Sequence, residues 1–190
     1  MSIQKEIEFK NLLEKEEFHN LCREFGVSEH DFRMQTNTYF DTKDFQLRDA
    51  YMGFRLRVVG QRTELTLKAP GENKHTMIET TRLLSATEKD EILQNGFIMP
   101  QSYSEFQSLP EVLFAFGSLH THRVEIPYQD GLLVLDRSDY LGKTDYEVEF
   151  EVNDYLSGQH SFNEMLSTYR IPIRKTPKKI ARFMKAAQHK

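Results

Sequence analysis

Three glutamates at alternate positions, Glu147, Glu149 and Glu151, form one of the densest acidic runs in this sequence. Glu6 and Glu8 repeat the spacing with negative charge, and Arg55 and Arg57 with positive charge, followed by Lys68. Side chains two residues apart on an extended strand share one face at about 7 Å, so each stretch would concentrate charge of a single sign. Like charges that close repel, and each row needs an opposite charge beside it. Carboxylates in a row suit a hard divalent cation such as Mg²⁺, which prefers oxygen ligands and keeps waters in its remaining positions. Arginines offer planar two-point contacts to phosphate oxygens and lysine a compact charge, so Arg55, Arg57 and Lys68 suit an anion. A lone strand of this kind usually turns its charged face to water; the sorting of sign by strand is what argues for chemistry here.

The residues need strands to carry them, and alternation with period two recurs along the chain. It predicts strands at 5–10, 35–41, 54–58, 64–68, 76–84, 121–128, 132–136 and 146–152. If the charged faces all point inward, these strands close into a barrel with a charged interior. A dry interior would not tolerate that charge, whereas a wet one filled by metal ions and a polyanion would. The reaction class that follows is phosphoryl or nucleotidyl transfer, in which positioning and charge neutralisation contribute most of the catalysis.

Helices punctuate the strands. Residues 14–25 place Phe18, Leu21, Cys22 and Phe25 on one stripe with Gly26 as a stop. Ser85-Ala-Thr-Glu88 has the pattern of a capping box and opens a helix ending near Gly96. Further helices are predicted at 109–117 and 160–169, and Ile180, Phe183, Met184 and Ala187 form a stripe near the carboxyl end. The 190 residues amount to one domain, with 28% charged and 38% hydrophobic residues, enough apolar material for a core. The net charge of −4 is unevenly spread, because residues 165–190 contain Lys and Arg but no acid. No run of about 18 to 20 apolar residues suggests a membrane helix, the amino terminus lacks the apolar run of a signal peptide, and the single Cys22 allows no internal disulfide. A cytoplasmic protein is expected.

Glu6-Ile-Glu8-Phe-Lys10 is an ExExK motif, and it resembles the signature of the CYTH superfamily, the triphosphate tunnel metalloenzymes. The other landmarks follow in order: Tyr39-Phe40-Asp41, Arg55-Leu-Arg57, Thr66-Leu-Lys68, Glu79, Arg123, Asp136, Glu147-Val-Glu149 and Lys179-Ile-Ala-Arg182. The likeness spans residues 3 to about 183 and is nearest to the small CYTH proteins of Gram-positive bacteria. It implies a single α+β domain over 1–190, an eight-stranded antiparallel β-tunnel flanked by helices that binds a triphosphate with its divalent metal, Mg²⁺ or Mn²⁺. By the family pattern Glu6, Glu8, Glu147 and Glu149 would sit on the metal side, joined by Asp136 and Glu79. Lys10, Arg55, Arg57, Lys68, Arg123, Lys179 and Arg182 would hold phosphate oxygens, and Glu8, Asp136 and Glu149 would carry the catalysis. Glu151 extends the acidic face. The sequence departs from the pattern where Lys178 stands in place of a frequent Ser, leaving two lysines as candidates for one position, and where Glu79-Thr-Thr81 offers a single Glu.

Gly142-Lys143-Thr144 resembles the end of a Walker A loop, but Arg137 replaces the glycine needed five positions earlier, so a hairpin turn is expected. His120 and His122 have no further partners at ligand spacing. The leading function is a metal-dependent hydrolase of inorganic or organic triphosphates, in which a metal-activated water releases phosphate. A class IV type adenylate cyclase and a non-catalytic polyphosphate or nucleotide sensor are the alternatives. The expected partner is a triphosphate-containing small molecule; neither a membrane nor a nucleic acid is expected, since residues 1–164 are predominantly acidic.

Overall fold

The computed structural model describes residues 2–73 and 75–187. In chain order the elements are β1 (Ser2–Leu13), α1 (Lys15–Glu24), β2 (Arg33–Asp41), α2 (Gln46–Asp49), β3 (Gly53–Val59), β4 (Arg62–Pro70), β5 (Met77–Leu84), α3 (Ala86–Asn95), β6 (Phe97–Ile98), β7 (Leu113–Tyr128), β8 (Gly131–Tyr140), β9 (Lys143–Val152), α4 (Tyr155–Thr168) and α5 (Lys179–Ala187). The hydrogen-bonded order is β2-β3-β4-β5-β1-β9-β8-β7-β6, and a further β2–β7 pairing returns the order to its start. Eight strands therefore pair in a closed antiparallel ring, with the two-residue β6 added to β7. This is the α+β, eight-stranded antiparallel architecture that the family resemblance implies.

The described chain divides into two compact units. The first comprises the residues up to Lys5 with Gln35–Leu119, the second Glu6–Met34 with the residues from His120 on. β1 and β7 each contribute to both. In the second unit the strand faces are sharply sorted. Leu13, Val124, Leu133, Leu135, Val148 and Phe150 lie on one face and form a core with Phe18, Leu21 and Cys22 of α1 and Phe162, Met165 and Leu166 of α4. Truncating a fully buried leucine of this kind, such as Leu133, costs about 2 to 5 kcal/mol. Cys22 is buried there as part of the packing, and burial pushes its thiol up to about 11. The first unit repeats the arrangement with Phe40, Phe54, Leu56, Leu65 and Leu67 packed against Leu47, Ile92, Phe106 and Leu113.

Local signals set most boundaries. Ser85 accepts from the Glu88 amide at 3.2 Å while the Glu88 carboxylate accepts from the Ser85 amide at 2.8 Å, the expected capping box of α3. The Gly142-Lys143-Thr144 stretch is a turn and strand start: Leu141 and Gly142 both have positive φ, 49° and 77°, as a two-residue hairpin requires. The helix expected at 109–117 is not there. β7 starts at Leu113, because this segment pairs with β6 (Phe97↔Phe114) and Ser118 shares a 2.8 Å hydrogen bond with Thr38 of β2. Strand pairing outweighs the local preference of Leu, Phe and Ala. α4 begins earlier than 160, at Tyr155, where Asp154 accepts from the Ser157 amide at 2.8 Å. In α5, Ala186 is buried and the expected stripe member Ala187 is exposed. No helix among the described residues is long and apolar enough to cross a membrane.

Candidate functional site

Register fixes which charged side chains of the second unit meet. β1 and β9 pair Glu8 with Glu151 and Lys10 with Glu149; β8 and β9 pair Asp136 with Glu147; β7 and β8 pair Arg123 with Asp136. The alternation that builds the apolar core on one face therefore gathers Glu6, Glu8, Lys10, Arg123, Asp136, Glu147, Glu149 and Glu151 on the other. That face is buried too: Asp136 is 0%, Glu147 1% and Glu149 4% exposed.

Cations from two further directions satisfy the buried carboxylates. Arg123 donates to both oxygens of Asp136 at 2.9 and 2.6 Å and to Glu149 at 2.7 Å. Lys179, the first residue of α5, lies 2.5 Å from Glu149, 2.8 Å from Asp136 and 3.2 Å from Glu147. Arg182, one turn later, donates to Glu147 at 2.5 Å and to Asp145 at 2.8 Å. Lys10 pairs with Glu8. Of the two lysines, Lys179 reaches the carboxylates and Lys178 is exposed.

Electrostatics follow from this crowding. Burial opposes ionisation of Glu149, yet Lys179, Arg123 and Lys10 hold its carboxyl well below the usual range. Asp136 is likewise held down by Arg123 and Lys179 against burial. Burial raises Glu147 despite Lys179, with Glu149 adding to the rise. Burial, opposed by Arg123 and reinforced by Glu149, Glu8 and Glu6, pushes Glu151 up to about 7. Burial acts against the Lys179 charge, but Asp136, Glu149 and Glu147 hold its ammonium far above the ordinary lysine value.

Glu8, Glu149 and Glu151 each bring a ligand oxygen within 4.8 Å of the others. An all-carboxylate donor set is the chemistry of a hard divalent cation. Beside it, Glu147 keeps one buried oxygen, Oε1, without a hydrogen-bond partner among the described residues. The residues present therefore fit such an ion.

The first unit has its own charged ladder. Across β2, β3, β4 and β5 the register aligns Asn37 with Arg57 and Glu64, Arg55 with Thr66 and Thr81, and Lys68 with Glu79. Arg57 donates to Asn37 at 3.0 Å and lies 3.9 Å from Glu64. Glu79 takes Lys68 at 3.2 Å and Arg55 at 3.5 Å. Burial acts against its ionisation, but Lys68, Arg55 and Arg57 hold its carboxyl down to about 2. The Arg55 Nε is buried without a hydrogen-bond partner among the described residues.

Thus Glu8, Lys10, Arg123, Asp136, Glu147, Glu149, Lys179 and Arg182 come together in the second unit with Glu6 on the same strand face, and Arg55, Arg57, Lys68 and Glu79 in the first. Sequence reasoning gave Glu151 only an extending role and missed Asp145 and Glu64. Extending the alternation of β9 back by two residues from Glu147 would have found Asp145. Glu64 needed the β3–β4 register, which places it opposite Arg57.

Comparison with known proteins fits this geometry. The CYTH domain family matches residues 4–184. YjbK of Bacillus subtilis (strain 168), a provisionally named triphosphatase, is 39% identical over 188 residues, covering 96% of both chains. A provisionally named adenylate cyclase of Bacillus halodurans superposes with a TM-score of 0.87 at 36% identity, over 96% of this chain and 99% of the other. A Hippeastrum protein, described as an adenylyl cyclase candidate with a dominant triphosphatase activity, superposes with a TM-score of 0.76 at 18% identity over 95% of each chain, a likeness of fold. With the ExExK strand, the paired RxR strand and the terminal lysine all in place within the matched span, the chain belongs to the CYTH domain family.

Proposed function

We propose that this protein is a divalent-metal-dependent hydrolase that releases phosphate from a triphosphate-containing small molecule. The observation that carries the reading is the buried face of the second unit, where Glu8, Glu149 and Glu151 converge while Lys179 and Arg123 neutralise Asp136 and Glu149. The 39% identity to a provisionally named triphosphatase supports the reaction class.

Glu8, Glu149 and Glu151 would hold Mg²⁺ or Mn²⁺, with Glu6 and Glu147 as neighbouring carboxylates. An ion held there supplies positive charge to the phosphoryl group and to the water that attacks it. The chain's own residues do the rest. Lys10, Arg123, Lys179 and Arg182 exchange carboxylate partners for phosphate oxygens, which spreads the charge that develops on the transferred group. Arg55, Arg57 and Lys68 bind phosphate oxygens in the first unit, with Glu79 holding the lysine and arginine ready. Asp136 orients the attacking water for in-line displacement.

Purified protein with Mg²⁺ or Mn²⁺ should release phosphate from at least one of inorganic triphosphate, thiamine triphosphate, ATP and GTP. At triphosphate concentrations below the wild-type KM, Glu8→Ala and Arg57→Ala should nearly abolish release; wild-type rates in both would overturn the assignment. The 36% identity to a provisionally named adenylate cyclase favours one second reading, cyclisation of ATP. Products separate the two: phosphate and ADP mark a hydrolase, pyrophosphate and cyclic AMP a cyclase.

A further inference from the structure

β1 breaks its own pattern at one position. Ile7, Phe9 and Leu13 lie on the face that packs on the second unit's core, yet Asn11 occupies the same face and is 1% exposed. A buried amide there is costly unless it is hydrogen-bonded. Apart from the neighbouring Leu12 carbonyl, to which Asn11 Nδ2 donates at 3.0 Å, its partners lie over 160 residues away in sequence, in the stretch 171–178 that joins α4 to α5 and has no helix or strand of its own. Asn11 Oδ1 accepts from the Arg174 amide at 2.6 Å and Asn11 Nδ2 donates to the Pro172 carbonyl at 3.0 Å. The Leu12 amide donates to Thr176 Oγ1 at 2.8 Å. The Arg174 guanidinium donates to both oxygens of Glu17 in α1, at 2.7 and 2.9 Å, and to the Leu12 carbonyl at 3.0 Å. Hydrogen bonding to Arg174 holds the Glu17 carboxyl below the usual range. The strap ends where Arg182 donates to the Pro177 carbonyl at 2.7 Å and α5 begins with Lys179.

None of Asn11, Glu17 and Arg174 has a hydrogen bond or ion pair given above to the carboxylates of the candidate site. What they fix is the irregular segment whose far end delivers Lys179 and Arg182 to those carboxylates. A segment with no helix or strand of its own cannot place a side chain to within an ångström unaided, and a catalytic charge misplaced by that distance loses much of its effect. We propose that Asn11, Glu17 and Arg174 are positioning residues that clasp the 171–178 strap and thereby set Lys179 and Arg182 for the reacting phosphates. The proposal deepens the triphosphatase reading and rests on it for its kinetic consequences, while the clasp itself is testable without activity.

Arg174→Ala is the cleanest variant, because Glu17 also caps α1 by accepting from the Glu14 amide at 2.8 Å. Asn11→Leu removes the buried bracket, and Glu17→Gln is the milder change if either fails to fold. Hydrogen exchange of the full chain should show residues 171–187 exchanging at least about tenfold faster in Arg174→Ala, a loss in keeping with charge-assisted bonds, with α1 and the strands unchanged. With Mg²⁺ and inorganic triphosphate, or the panel member that the wild type hydrolyses, kcat should fall and KM rise together. A smaller folded fraction would leave KM alone. Adding Arg174→Ala to a variant that already carries Lys179→Ala and Arg182→Ala should cost little more, and Glu17→Arg with Arg174→Glu should restore part of the rate. Unchanged exchange over 171–187, wild-type kinetics despite a loosened strap, or multiplying losses in the triple variant would each overturn the proposal. A wild type that releases no phosphate from any substrate defeats the triphosphatase reading, and the exchange result alone then decides the clasp.

Discussion

The two units handle charge in opposite ways. On the buried face of the second, seven carboxylates (Glu6, Glu8, Asp136, Asp145, Glu147, Glu149 and Glu151) face four cations (Lys10, Arg123, Lys179 and Arg182), and many of the pairs are close, at 2.5 to 2.9 Å. On the first, Arg55, Arg57 and Lys68 face Glu64 and Glu79 at looser distances of 3.2 to 3.9 Å, and Arg62 lies 3.0 Å from Glu64. One region is short of positive charge and the other of negative. Buried charge must be compensated, so the difference teaches which kind of ligand each unit lacks: a cation in the second, an anion in the first. In the second unit the protein's own cations already occupy the carboxylates.

The largest effect is expected at Glu149, which touches Arg123, Lys179 and the three-carboxylate cluster at once. Glu149→Gln should lower kcat by about 10³-fold, read in a phosphate-release assay, and should weaken Mn²⁺ binding in a titration without substrate. Arg57→Ala should break the other half only: KM for the triphosphate rises by about 10- to 100-fold, the range for a lost bond to a charged group. A fall in Mn²⁺ affinity in that variant would blur the comparison. Lys179→Ala and Lys178→Ala sharpen it further. The first should cost about 10²-fold in kcat, while the exposed Lys178 should leave the rate within about twofold of wild type, since surface charges contribute little.

A smaller effect belongs to acid stability. The Glu79 carboxyl is held down to about 2 by Lys68, Arg55 and Arg57 against burial. A depressed folded value contributes stability that is fully present above the unfolded carboxylate range, near 4.5, and is lost as pH falls from there toward 2. Melting temperatures of Glu79→Gln and wild type should therefore converge as pH drops through that window, and parallel curves would contradict the pairing.

Much of this was legible in the sequence for a simple reason. Period-two alternation at Glu6 and Glu8, Arg55 and Arg57, and Glu147 and Glu149 both predicts the strand and names the face, so one pattern gave the fold class and the charged residues together. What alternation cannot give is register. Glu151 meets Glu8 only because β1 and β9 pair at that offset, and Glu64 meets Arg57 only through the β3–β4 offset. The 109–117 segment misled because its apolar residues fit either period until β6 and β2 are known to pair with it. Asn11 and Arg174 were invisible for a related reason: their meaning lies in contacts across more than 160 residues.

The division of labour between the units is tested most directly by titrating Mn²⁺, without substrate, into wild type, Arg57→Ala and Glu149→Gln and following the loss of free ion by paramagnetic resonance. The account predicts binding in wild type, the same binding in Arg57→Ala, and little in Glu149→Gln. Equal loss in both variants, or full binding in Glu149→Gln, would contradict it.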